Sequence, residues 1–222
     1  MKKICSLFVF LLTIVTLSFG IDVSVGVKGG VNHSSYTGED YKDFLRSYPE
    51  LSNAFNLGFQ VGAFVTIGIF NYVVIEPEVV IVRSGDKFKE DVKPTFEGFV
   101  KYYDHLLYLE STVLIKLRSG TSNIFAGPTI MLRLSDGTYG YRADDSAIGS
   151  DEADYASDDF NRVVFAVTAG IGFLRPIGLG SLVVETRGRY CFQNFLNEDI
   201  YAGVLKQIAA MIVIGYSFPI IN

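Results

Sequence analysis

Hydrophobic and polar residues alternate one by one over long stretches of this chain. In residues 22–32, Val23, Val25, Val27 and Val31 share one face, while Asp22, Ser24, Lys28 and Asn32 share the other. A period of two marks a half-buried β-strand. The same alternation predicts further strands at 57–67, 72–83, 105–118, 124–134, 161–174, 182–193 and 205–218. Each runs about eleven to fourteen residues. Strands of soluble domains average about 5–6 residues, whereas a tilted membrane strand needs about 9–11 for the apolar layer alone.

The connections sort by parity. Residues 33–56, 84–104, 135–160 and 194–204 are long and rich in Ser, Asp, Tyr and Gly; 68–71, 119–123 and 175–180 are short and built around Gly, Asn or Pro. A soluble sandwich has no reason to alternate in this way, but an outer-membrane barrel has tight periplasmic turns and longer outer loops. The predicted fold is all-β: an eight-stranded antiparallel up-and-down transmembrane β-barrel with long extracellular loops, short periplasmic turns and both termini periplasmic. Residues 40–46 have the makings of a short helix inside the first loop. Pro77 should fall at a bulge or where a neighbour does not need its missing N–H. Phe70, Tyr72, Tyr102, Tyr103, Tyr216 and Phe218 occupy strand ends, where an aromatic girdle would lie.

Alternation alone does not say which face looks inward; mid-strand chemistry does. The polar faces carry Lys28, Glu76, Glu78, Glu110, Lys116, Arg118, Arg133, Glu185, Arg187 and Arg189. An eight-stranded lumen is just wide enough to be filled by side chains, and buried charges are tolerated when paired and hydrogen-bonded. These ten residues are therefore expected to form an interior charge network, with no wide aqueous pore. Gly62, Gly127, Gly170 and Gly172 on the same faces are expected to make room for the arginines. The competing arrangement is a soluble barrel with the charges outside.

Composition sharpens the picture at the N-terminus. Lys2 and Lys3 precede an apolar stretch, and Ser18, Phe19 and Gly20 offer small residues at the −3 and −1 positions of a cleavage site. Residues 1–20 read as a cleaved signal peptide and 21–222 as the barrel domain. Hydrophobic residues make up 49% of the chain. Beyond the leader, however, no apolar run reaches the length of a membrane helix, so apolar surface must be hidden by alternation. Cys5 leaves with the leader. Cys191 then stands alone, which excludes an internal disulfide and suits a packed wall residue. Without Lys2 and Lys3 the 19 Lys and Arg fall to 17 against 24 Asp and Glu, a net charge of −7. That argues against nucleic acid as a partner.

Candidate chemistry is sparse. Asp144, Asp145, Asp151, Glu152, Asp154, Asp158 and Asp159 crowd the third long loop without the spacing of a calcium loop, and a solvated surface loop is the simpler reading. His33 and His105 fall at outer strand ends beside Ser34, Ser35 and Asp104, on strands that are not neighbours. No phosphate loop, zinc spacing or nucleophile elbow appears. No enzyme, metal or cofactor is expected.

With its strands placed, the chain resembles the outer-membrane protein beta-barrel domain family, the small barrels that include PorT-like and "porin family" proteins. The segments that carry the likeness are 25–32, 58–62, 75–79, 108–110, 125–128 and 214–218. The resemblance implies residence in the outer membrane of a diderm bacterium after export, contact with outer-membrane lipids and insertion by the barrel-assembly machinery. It implies no shared catalytic residues. Such barrels often close on an aromatic residue as the assembly signal, which points to Tyr216 and Phe218, although Pro219, Ile220, Ile221 and Asn222 follow here. The expected activity is carried by the surface loops: adhesion, surface contact or envelope integrity, with a surface ligand as partner. The alternatives are a narrow porin-like channel for small or hydrophobic molecules and a soluble periplasmic ligand-binding barrel.

Overall fold

Among the described residues the chain forms twelve strands: β1 (Asp22–Thr37), β2 (Leu51–Asn53), β3 (Leu57–Phe70), β4 (Val73–Ser84), β5 (Lys87–Val92), β6 (Gly98–Ser119), β7 (Ser122–Arg133), β8 (Thr138–Ala143), β9 (Ser150–Asp154), β10 (Val163–Ile177), β11 (Gly180–Cys191) and β12 (Lys206–Ile221). The computed structural model describes residues 22–38, 42, 43, 46, 51–53, 56–70, 72–84, 87–92, 98–135, 138–143, 150–154, 161–194 and 206–221. The predicted signal peptide and much of the long connections lie outside them. Lys42, Asp43 and Arg46 have helical backbone, within the span predicted to be a short helix.

Eight strands pair antiparallel in the order β1, β3, β4, β6, β7, β10, β11 and β12, and β12 pairs back onto β1. The sheet therefore closes on itself, and every barrel strand has a neighbour on both sides. Closure removes the edges that lipid could not satisfy. The chain also forms a second sheet that was predicted to be loop. β2 pairs with β5, β5 and β8 both pair with the first half of β6, and β9 pairs with β8. β6 is 22 residues long, about twice the 9–11 residues a tilted strand needs for the apolar layer, and its first part extends past the barrel pairing on the loop side.

Alternation resolves as apolar outside and polar inside. Val27, Phe59, Ile115, Ile124, Ile171, Phe173, Ile212 and Ile214 are each at least half exposed, while Lys28, Glu76, Glu185 and Arg187 on the opposite faces are buried. A soluble barrel needs the reverse, so that arrangement is excluded. Some predicted details are corrected. Val23 is buried rather than outward with Val25; it lies at an irregularity in the β1–β12 register, where Val23 pairs with Ile221 and Ser24 with Pro219, so that Ile220 is an extra residue on β12. β1 continues through His33 to Thr37, β3 runs on to Phe70, and β12 includes Pro219 and Ile220, which were read as a tail. Pro77 lies where the β3–β4 pairing lapses between Phe64–Glu78 and Ile67–Ile75, while its β6 side stays in register with Val113. Pro128 repeats the device on β7, where pairing with β6 lapses between Thr112–Thr129 and Ile115–Ala126.

Candidate functional site

The barrel interior is layered, and its layers follow from parity. Inward positions on β1, β4, β6 and β11 place Lys28, Glu76, Glu78, Lys116, Glu185 and Arg187 in one belt on the turn side of the lumen. Lys28 Nζ lies 2.8 Å from Glu76 Oε1 and also pairs with Glu78. Lys116 Nζ bridges Glu76 Oε2 at 2.7 Å and Glu185 Oε1 at 2.5 Å. Arg187 donates from Nη1 to Glu78 Oε1 at 2.7 Å and from Nε to Glu185 Oε2 at 2.9 Å. Thr66 donates to Glu76 Oε2 at 3.3 Å. Three cations face three carboxylates, and each carboxylate oxygen has a cationic partner. Such matching is what makes buried charge tolerable.

Two phenyl rings complete the belt. Lys28 Nζ sits 4.3 Å above the Phe64 ring, and Lys116 and Arg187 lie 5.1 and 5.4 Å from the Phe125 ring. The rings occupy space left by glycine: a Cβ on Gly26 would collide with Phe64, and one on Gly170 with Phe125 and the Thr186 carbonyl. Glycine was expected to make room for arginine. At Gly170 it makes room for the aromatic that the cations stack on.

Above the belt, toward the loops, stands a looser tier. Arg189 pairs with Glu110 and donates to Gln207 Oε1 at 3.1 Å; Ser84 donates to the same oxygen at 3.2 Å. Thr129 joins Thr112 and Thr168 at 3.0 and 2.8 Å, linking β6, β7 and β10. Cys191 is fully buried, its Sγ 3.7 Å from Met131 Sδ. Arg133 is buried on β7 in register with Tyr108.

The ten predicted interior residues therefore do not form one network. Six make the belt and Glu110 with Arg189 make a separate pair. Arg133 lies nearer the outer rim. Arg118 is half-buried at the turn end, beside a cavity of about 280 Å³ lined also by Asp22, Ser24, Thr66 and Ser217, and joins none of the ion pairs among the described residues. Sequence reading missed Phe64 and Phe125, although an aromatic on an otherwise polar face was a usable signal. Tyr216 donates to the Ile177 carbonyl at 2.6 Å, tying β12 to the neighbouring turn, and packs edge-on against Phe218 with centroids 4.8 Å apart. His33 Nδ1 lies 2.9 Å from the Asn56 carbonyl, a contact that ties β1 to the start of β3.

A family model described as "Outer membrane protein beta-barrel domain" matches residues 17–197. No curated protein matches the chain. Among solved structures, the chain is similar to Ail, the attachment invasion locus protein of Yersinia pestis, at 13% identity and a TM-score of 0.42, covering 88% of this chain and 98% of that one. Neisserial surface protein A matches at 11% identity and a TM-score of 0.41, covering 87% and 96%. OprG from Pseudomonas aeruginosa matches at 12% identity and a TM-score of 0.35, covering 90% and 96%. The barrel assignment rests on the strand pairing rather than on these likenesses.

Proposed function

The chain belongs to the outer membrane protein beta-barrel domain family, and from that premise we propose that it acts by surface contact through its outer sheet and loops, not by passing solute. The observation that carries this reading is the second sheet. β6 continues eight residues, 98–105, beyond the point where its barrel pairing with β4 begins at Leu106, and there it holds β5 on one side and β8 on the other. Backbone order beyond the bilayer gives the loops a platform from which to present a binding surface. The belt supports the same reading from inside, because a lumen crossed by paired charges and two phenyl rings favours a plug over a path. Residues 1–20 act as the export leader in this proposal, with the mature chain starting at Ile21.

Deleting residues 135–160 tests it. The variant is expected to keep its heat-dependent gel mobility, the mark of a closed barrel, while cells bearing it lose adhesion to matrix-coated surfaces. Planar-bilayer recording of the intact barrel is expected to show no discrete conductance steps; steps would favour the narrow-channel reading.

A further inference from the structure

The tier above the belt leaves buried hydrogen-bonding capacity unused. Gln207 is fully buried, and its Oε1 accepts from both Ser84 and Arg189 while its Nε2 has no protein partner. Gln60 Nε2 and Arg189 Nε are buried donors in the same condition. Asn32 donates from Nδ2 to the Arg83 carbonyl at 3.1 Å, which leaves its Oδ1 an unmatched acceptor. A buried donor or acceptor left unmatched loses its hydration with nothing in return.

These groups are neighbours around Gly58. Asn32 is in register with Gly58 across β1 and β3, and a Cβ at Gly58 would strike the Asn32 amide. Gln60 is the next inward residue on β3 and is in register with Val82, two residues before Ser84. Ser84 in turn holds Gln207, and Gln207 holds Arg189. The charge of Arg189 is already matched by Glu110. The site therefore has no spare positive charge to attract an anion, and its excess of donors disfavours a cation. A neutral occupant that both accepts and donates fits the set.

We infer that Asn32, Gln60, Ser84, Arg189 and Gln207 enclose a structural water cluster over Gly58, on the loop side of the ion-paired belt. One water accepts two hydrogen bonds and donates two. Three free donors therefore need more than one water, and one of these waters donates to Asn32 Oδ1.

A crystal structure of the refolded full barrel, at a resolution that shows ordered water, is the test. Solvent density within hydrogen-bond distance of Gln207 Nε2, and of Asn32 Oδ1 or Gln60 Nε2, is expected. Direct pairing of these side chains with no solvent between them overturns the inference. So does an anomalous peak at the site after a bromide soak, which would make the occupant an anion. Gln60→Met keeps the side chain's length and removes the donor; its structure is expected to lose one solvent peak and keep the rest. An unchanged set of peaks counts against the cluster. If that variant does not fold, the wild-type density decides.

Discussion

The belt and the tier above it share β1, β4, β6 and β11 at the same parity, with Gln60 of β3 and Gln207 of β12 added in the tier, yet they satisfy their polar groups differently. In the belt, the carboxylate oxygens of Glu76, Glu78 and Glu185 meet Lys28, Lys116 or Arg187, and no belt atom stands unmatched. In the tier, Asn32, Gln60, Gln207 and, at its Nε, Arg189 each carry a buried atom without a protein partner. Net charge is met by a counter-charge in both regions, Arg189 by Glu110 in the tier, because an unpaired buried ion costs far more than an unmatched neutral donor or acceptor. Amides can leave part of their capacity to solvent.

Arg187→Ala should have the largest effect. It removes the cation shared by Glu78 and Glu185, and truncating one member of a buried ion cluster costs about 3–5 kcal/mol. Urea unfolding in lipid vesicles checks this, with Gln207→Leu in the tier as the reference. A belt variant no worse than the tier variant would mean that the belt is not the better-completed half. Gly170→Ala comes next. Its methyl would meet the Thr186 carbonyl and the Phe125 ring, and overpacking of this kind costs about 1–3 kcal/mol. The displacement of Phe125 should also weaken its stacking with Lys116 and Arg187. Thr129→Val should have the smallest effect: it severs the hydroxyl chain to Thr112 and Thr168, worth about 1 kcal/mol per bond. Cys191, buried beside Met131, should resist maleimide in the folded barrel and react once urea has opened it, which gives each of these variants an independent measure of folding.

Much of this protein was legible from residue order. Strand alternation is a local property, since successive side chains point to opposite faces whatever the neighbours are. Glu185, Arg187 and Arg189 were thus bound to share a face with Cys191, and Thr186 and Tyr190 to lie opposite. The lengths of the connections, read with the lipid-compatible outer face, implied a closed up-and-down barrel before any contact was known. Charged side chains at mid-strand, balanced in sign, implied that the inner face was the polar one.

Tertiary structure decided the rest, because partners across a barrel are set by register and closure, which no single strand contains. It made one belt of Lys28, Glu76, Glu78, Lys116, Glu185 and Arg187, set Arg189 with Glu110 above it, and left Arg118 at the turn-end mouth. Val23 is buried against its own alternation, beside an irregularity in the β1–β12 register. Phe64 and Phe125 became stacking platforms because Gly26 and Gly170 happen to face them. The outer sheet was hidden because its strands pair with an extension of β6 rather than with the barrel, and polar composition there looks the same for a loop as for a solvated strand. Local periodicity fixes which way a side chain points; the closed sheet fixes what it meets.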